Sequence, residues 1–171
     1  AEKILQPHDR WHGILNYVQI EDLMILRGVI RKICPEYLPS LNSYWRDYRS
    51  NAFNMVVCKK SLYDAYAEWM FSICAEFEKY MRPSGYSNSR RVFAYITEMI
   101  TPLYFYHNKC KIKEMPVVFD GKTIKSSFKS KVIYWTLNKS VWRFTKDKPV
   151  FVDSSVYRGM SIDGIDLDCN P

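Results

Sequence analysis

From Ile20 onward the apolar residues Leu23, Leu26, Ile30 and Ile33 recur at every third or fourth position, which predicts a helix over about 21–34. Glu21 and Asp22 fall in its first turn, where the positive end of the helix dipole favours acids. Pro35 ends this helix and is suited to open the next, PEYLPSLNSYWRDY, because its fixed φ and missing N–H fit a first helical turn. Phe53–Cys58, FNMVVC, is a compact β-prone run and predicts a buried strand. Ser61 and Asp64 then resemble a capping box with Asp in place of Glu or Gln. Behind them Leu62, Tyr66, Trp69, Ile73 and Phe77 form a helical stripe wide enough to cover a sheet. Arg82-Pro83-Ser84-Gly85 marks a turn, and another helix is predicted from about 89 to 107. Ile112–Phe119 reads as a strand that Pro116 confines to an edge or a bulge. A short strand is also expected at Ile4-Leu5, ending at Pro7.

This alternation predicts an α/β fold, a layered sandwich with a mixed sheet flanked by helices. Residues 1–121 form that unit, and residues 122–171 follow as a basic, aromatic helical arm and a tail. VFV at 150–152 is expected as a short strand, and the last fifteen residues as loop. With 47% hydrophobic residues, 6 Gly and 8 Pro, the 171-residue chain can bury a real core. Its 16% aromatic content suits such a core, and equally sugar sites, partner interfaces and membrane boundaries. The formal charge of +7 is concentrated: residues 122–148 hold eight Lys or Arg against one acid, Asp147. Phe128, Tyr134, Trp135, Trp142 and Phe144 are interleaved with those cations. Such a segment suits an amphipathic helix on anionic lipid, a nucleic-acid backbone with stacking rings, or a basic helix packed on the domain. The five cysteines are odd in number, widely spaced and without a CxxC pair, which favours reduced thiols packed as small hydrophobes. No stretch approaches the roughly 18 apolar residues of a spanning helix, so a soluble or surface-attached protein is expected. The opening AEKILQPHD has neither Met nor an apolar signal core, and with the abrupt end at Asn170-Pro171 it suggests a fragment.

Candidate chemistry centres on the helix at 89–107. Val92, Phe93, Ile96, Ile100 and Leu103 make its core stripe. Arg91, Ala94, Tyr95 and Glu98 fall at i, i+3, i+4 and i+7 on the opposite face, aligning a guanidinium, a small gap, a phenol and a carboxylate. Pro102 removes the amide that would bond the Glu98 carbonyl, so a kink is expected there. A positioned carboxylate can take a proton from an acceptor hydroxyl, and a guanidinium fork can steady a departing diphosphate. A solvated polar face would carry the same residues. Asn54, at the head of the FNMVVC strand, could read a hydroxyl beyond the strand end or simply form a turn. Lys59 and Lys60 could meet phosphate or stand in solvent. No metal site is assigned: the DxD-like Asp166-Leu167-Asp168 lies in the tail, and His8, His12 and His107 lack ligand spacing, His107 being at most a third ligand. GxSxG, P-loop and GxGxxG patterns are absent, which removes hydrolase and nucleoside-triphosphatase readings.

Four blocks carry a resemblance: KILQP near the start, IEDLMILRGVIRKICPEYL at 20–38, FNMVVCKKSLYDAYAEWMFSICAEFEK at 53–79, and SRRVFAYITEMITPLYFYHNKCKIKEMPVV at 89–118. In order and spacing they resemble a domain family, formally of unknown function, found in bacterial capsular and exopolysaccharide gene clusters and treated as glycosyltransferases. The resemblance implies a GT-A-like fold and transfer of a sugar from a nucleotide sugar to a growing surface or capsular polysaccharide, as a hexosyltransferase-type enzyme in full-length form. It leaves the cofactor open between none and Mg2+ or Mn2+ with the nucleotide sugar, and implies a glycan or lipid-linked acceptor and a cytoplasmic place, with a peripheral position at the inner membrane as an option. Glu98 maps onto the Glu of an RVFGFLSER-like motif, as base or site-organising carboxylate, with Arg91 and Tyr95 as ligand contacts. Asn54 would contact sugar or acceptor, and Lys60 the substrate phosphates. Three features depart from the pattern: an N-terminal portion with a first nucleotide-binding strand has no counterpart, the segment between Pro7 and Ile20 is short and lacks the family's run of His and Tyr, and Met99 replaces the basic residue after the Glu. The alternative is a non-catalytic module binding membrane, glycan or a partner; a nucleic-acid binder is the least favoured reading.

Overall fold

Ile20–Ile33 (α2) carries apolar side chains all round its middle turns, and a helix of that kind must lie at the centre of a fold. In a computed structural model of the chain it does: every residue from Asp22 to Ile30 is buried. The structure describes residues 4–5, 10–15, 17–47, 49–50, 54–82, 91–115, 118–119, 122–123, 127–136, 140, 143–145 and 161–166. Asp22 accepts a hydrogen bond from the Gln19 N–H (3.1 Å) at the entry of α2, and Arg31 and Lys32 occupy its last turn.

Around α2 the other elements are placed by their own apolar stripes. Lys60–Tyr80 (α4) buries Tyr66, Ile73, Phe77 and Tyr80 and packs on α2 and on Val92–His107 (α5). Past Pro35 the chain makes a single 3-10 turn, Pro35–Tyr37, and continues into Leu38–Trp45 (α3), which buries Leu41, Tyr44 and Trp45. A polar seam joins α3 to α5: Ser40 meets the His107 Nδ1 at 2.9 Å and Ser43 the Tyr106 hydroxyl at 3.0 Å. Arg10–Ile14 (α1) closes on α3 through Arg10, whose guanidinium lies 3.5 Å over the Tyr44 ring and donates to the Tyr44 carbonyl at 2.7 Å.

The expected α/β sandwich with a mixed sheet is not what forms. The structure is mostly helical. Its strands among the described residues are three two-residue antiparallel pairings. Ile4–Leu5 (β1) pairs with Arg49–Ser50 (β2), and Val118–Phe119 (β3) with Lys122–Thr123 (β4). Ser161–Ile162 (β5) pairs with Ile165–Asp166 (β6). Of the predicted buried strand Phe53–Cys58, the described residues 54–58 belong to no ladder; of the predicted strand Ile112–Phe119, residues 112–115 belong to none, while Val118–Phe119 is β3. β propensity expresses itself only against a neighbouring strand that takes up the backbone N–H and C=O groups. The stripe of α4 therefore covers α2 and α5 instead of a sheet.

Two smaller expectations also change. The α4 helix starts at Lys60 with Lys59 as its cap residue, so Ser61 lies inside the first turn and Asp64 pairs with Lys60 instead of closing a capping box. The tail is not all loop: β5 and β6 turn through Asp163 and Gly164 at φ +49° and +85°, as a two-residue hairpin turn requires. β6 packs on α2 with Ile165 in the core, and Asp163 pairs with Arg82 at 2.7 Å. Of the arm, Phe128–Thr136 (α6) and the short Arg143–Thr145 (α7) are helical, with α6 against β1. The expected strand at 150–152 lies outside the described residues.

Candidate functional site

The face of α5 opposite its core stripe brings three of the sequence-selected residues together. Arg91 caps the helix at its mouth and is exposed, with its guanidinium carbon 5.4 Å from the centre of the Tyr95 ring. Tyr95, one turn in, is half-buried and stacks on Tyr17 with ring centres 5.2 Å apart and planes 30° from parallel. Tyr17 comes from the connection between α1 and α2, so only the tertiary fold adds it. Glu98 follows one turn later, half-buried. Burial pushes its carboxyl above the usual range, and the Arg91 charge offsets part of that rise. Among the described residues no hydrogen bond ties Glu98 down. The result is a carboxylate free to take up a proton, a guanidinium, and a two-ring aromatic shelf.

Asn54 is joined to the same helix. Its Nδ2 donates to the Thr97 hydroxyl at 3.0 Å, and its Oδ1 lies 3.1 Å from the Thr101 hydroxyl. Thr101 is buried and has the Tyr66 hydroxyl at 2.6 Å and the Thr97 carbonyl also at 2.6 Å. Both ends of the Asn54 amide are engaged, so Asn54 latches the segment 54–59 onto α5. Lys60 stands apart on α4, exposed and paired with Asp64 at 2.6 Å.

α5 runs unbroken through Pro102 to His107. Pro102 lies four residues after Glu98, hence on the same face. It lines a cleft of about 270 Å3 together with Val56, Cys58, Phe105, Lys111 and Ile112. Sequence reasoning did not find this cleft, because its walls come from residues 55–58, α4, α5 and residues 110–113, which only the tertiary fold brings together. Met99 is buried against the core, so position 99 faces away from the Arg91–Glu98 line. His107 is engaged in packing, with its ring centre 3.7 Å from that of Tyr37. Among the described residues no three His, Cys, Asp or Glu side chains converge to hold Mg2+ or Mn2+. Asp168 of the DxD-like string lies outside the described residues.

The fold and this face define a helical domain with one chemically mixed helix surface beside a cleft of mixed lining. The model of the family described as a domain of unknown function (DUF4422) matches residues 3–109, and the chain belongs to that family. The matched stretch runs from before β1 through the end of α5 and includes Asn54, Lys60, Arg91, Tyr95 and Glu98. No curated protein and no solved structure matches the chain.

Proposed function

We propose that the chain is part of a glycosyltransferase that moves a sugar from a nucleotide sugar to a growing bacterial surface polysaccharide. The observation that carries the reading is Glu98: a half-buried carboxylate with a raised pKa, in line with Arg91 and the Tyr95–Tyr17 shelf. In this reading Glu98 accepts the acceptor hydroxyl's proton, for which a carboxylate raised toward neutral pH is suited. Arg91 holds the leaving diphosphate and can do so bidentately. The outer face of the exposed Tyr17 ring, backed by Tyr95, is a flat apolar surface with a polar rim, to which the C–H face of a sugar ring fits. The cleft beyond Pro102, lined by Val56 and Phe105 but also by Lys111, gives room for part of an acceptor. The four-block resemblance to polysaccharide-cluster proteins supports the substrate class.

A thermal-shift panel of UDP-, GDP- and dTDP-sugars tests it. A donor present at about 100 times its Kd adds about 2.7 kcal/mol, which for a chain of this size raises Tm by roughly 5–10 °C. Arg91→Met should remove the response, and Glu98→Gln should keep binding while abolishing transfer. A panel in which no donor moves Tm, or undiminished transfer by Glu98→Gln, refutes the assignment. The second reading, a non-catalytic binding module, is favoured by the bare outer side of residues 55–57, where Met55 and Val57 are exposed. It predicts no response to any donor.

A further inference from the structure

The charge of the chain is carried by residues 122–148, and α6 is the long helix of that stretch. Its sequence, FKSKVIYWT, contains no acid. At about 100° per residue, Phe128, Val132 and Trp135 fall within a sector of about 60°. All three are exposed, at 82%, 47% and 61% respectively. Lys129 and Lys131, both exposed, stand on the two flanks of this stripe. Ile133, toward the other side, is half-buried, and α6 lies against β1. The helix therefore keeps one side on the protein and turns its aromatic side outward. Phe144 in α7 is exposed as well, next to Arg143.

Single exposed apolar residues are ordinary, but a contiguous stripe of two large rings and a valine between cations is the pattern of an interaction surface. The charge selects the occupant, since an acid-free helix in a segment of eight cations and one acid fits an anionic surface. The centre of the stripe separates lipid from nucleic acid. Phe128 and Trp135 are roughly 10 Å apart along the helix axis, and an aliphatic Val132 fills the gap. Valine offers no face on which a base can stack, whereas it suits acyl chains. No helix among the described residues is long and apolar enough to cross a membrane, so the contact is along a surface.

We propose that α6 is an interfacial helix that seats the protein on an anionic bilayer. Phe128, Val132 and Trp135 enter the headgroup boundary, and Lys129 and Lys131 meet lipid phosphates. The inference is independent of the glycosyl-transfer reading, since it uses none of the residues of the α5 face. Flotation with phosphatidylcholine vesicles, with and without phosphatidylglycerol, tests it. The chain should float with the phosphatidylglycerol vesicles at low salt, much less at high salt, and not with phosphatidylcholine alone. Phe128→Ser with Trp135→Ser should lower the bound fraction at least about tenfold, because apolar insertion supplies much of such binding. Lys129→Glu with Lys131→Glu should do the same through charge. All four positions are exposed, and circular dichroism checks that each variant keeps its fold; if the serine pair loses its fold, the glutamate pair decides. Absence of flotation with phosphatidylglycerol at low salt, or equal flotation of the folded variants, overturns the proposal. So does binding of single-stranded RNA that is lost with the same substitutions while vesicles stay unbound.

Discussion

Glu76 is the group whose removal should most clearly expose how α4 is held to α2. Its carboxylate accepts from Lys32 at 2.7 Å, from Lys79 at 2.6 Å and from the Tyr80 hydroxyl at 2.9 Å. Lys32 belongs to α2, so one of these contacts crosses between helices. These three donors, Lys32 foremost, pull the carboxyl down from 4.5 to about 2. At about 1.36 kcal/mol per pH unit, that fall sets a ceiling of about 3.4 kcal/mol. The same contact raises Lys32, and it is one interaction, to be counted once. Glu76 itself is only 12% exposed, but its lysine partners are 55% and 64% exposed, and water screens them. A realistic loss for Glu76→Gln at neutral pH is therefore about 1–2 kcal/mol, or a Tm lower by roughly 3–6 °C. The sign with pH follows from a folded value below the unfolded one. The stabilisation is complete above about 4.5 and fades as pH falls toward about 2. Urea unfolding followed by tryptophan fluorescence, with Trp45 buried as a reporter, should show parent and variant converging over that interval. A gap that stays constant from pH 7 down to pH 2, or no gap at pH 7, would refute this account of the α2–α4 contact.

Two further outcomes check the latch and the bare segment. Thr101→Val takes from the Tyr66 hydroxyl its 2.6 Å partner and from Asn54 one of its two contacts to α5, and should cost about 1–2 kcal/mol in urea unfolding. Combined with Tyr66→Phe the cost should be less than the sum of the two single changes, and strict additivity would count against the network. Val57→Asp should leave Tm within about 1 °C, since an exposed side chain away from packing changes stability little; a large fall would mean that position 57 is covered.

The helices were legible because each carries its burial code locally. Leu23, Leu26 and Ile30 mark α2, and Tyr66, Ile73 and Phe77 mark α4, whatever lies opposite them. The hairpin at 161–166 also had a local signal: Asp163-Gly164 between Ile162 and Ile165 is a hairpin-turn signature. In the sequence these residues read instead as loop, running into the DxD-like Asp166-Leu167-Asp168. FNMVVC misled for the opposite reason. Its β-prone residues alternate correctly, with Val56 packed on the core and Val57 outside, yet among the described residues no strand pairs with it and no ladder forms.

On the candidate site, the sequence by itself determined that Arg91, Tyr95 and Glu98 share one helix face, since helical spacing alone dictates it. The same periodicity determined the core stripes and the place of the charge. The tertiary structure alone decided what surrounds that face. It brought Tyr17 against Tyr95, turned both ends of the Asn54 amide inward, kept Lys60 on Asp64, and set the cleft one turn beyond Glu98. It also decided the fold class. A helix satisfies its backbone within itself, so its pattern can be read from one segment. A strand needs a second segment at its side, and that neighbour is a property of the packed chain.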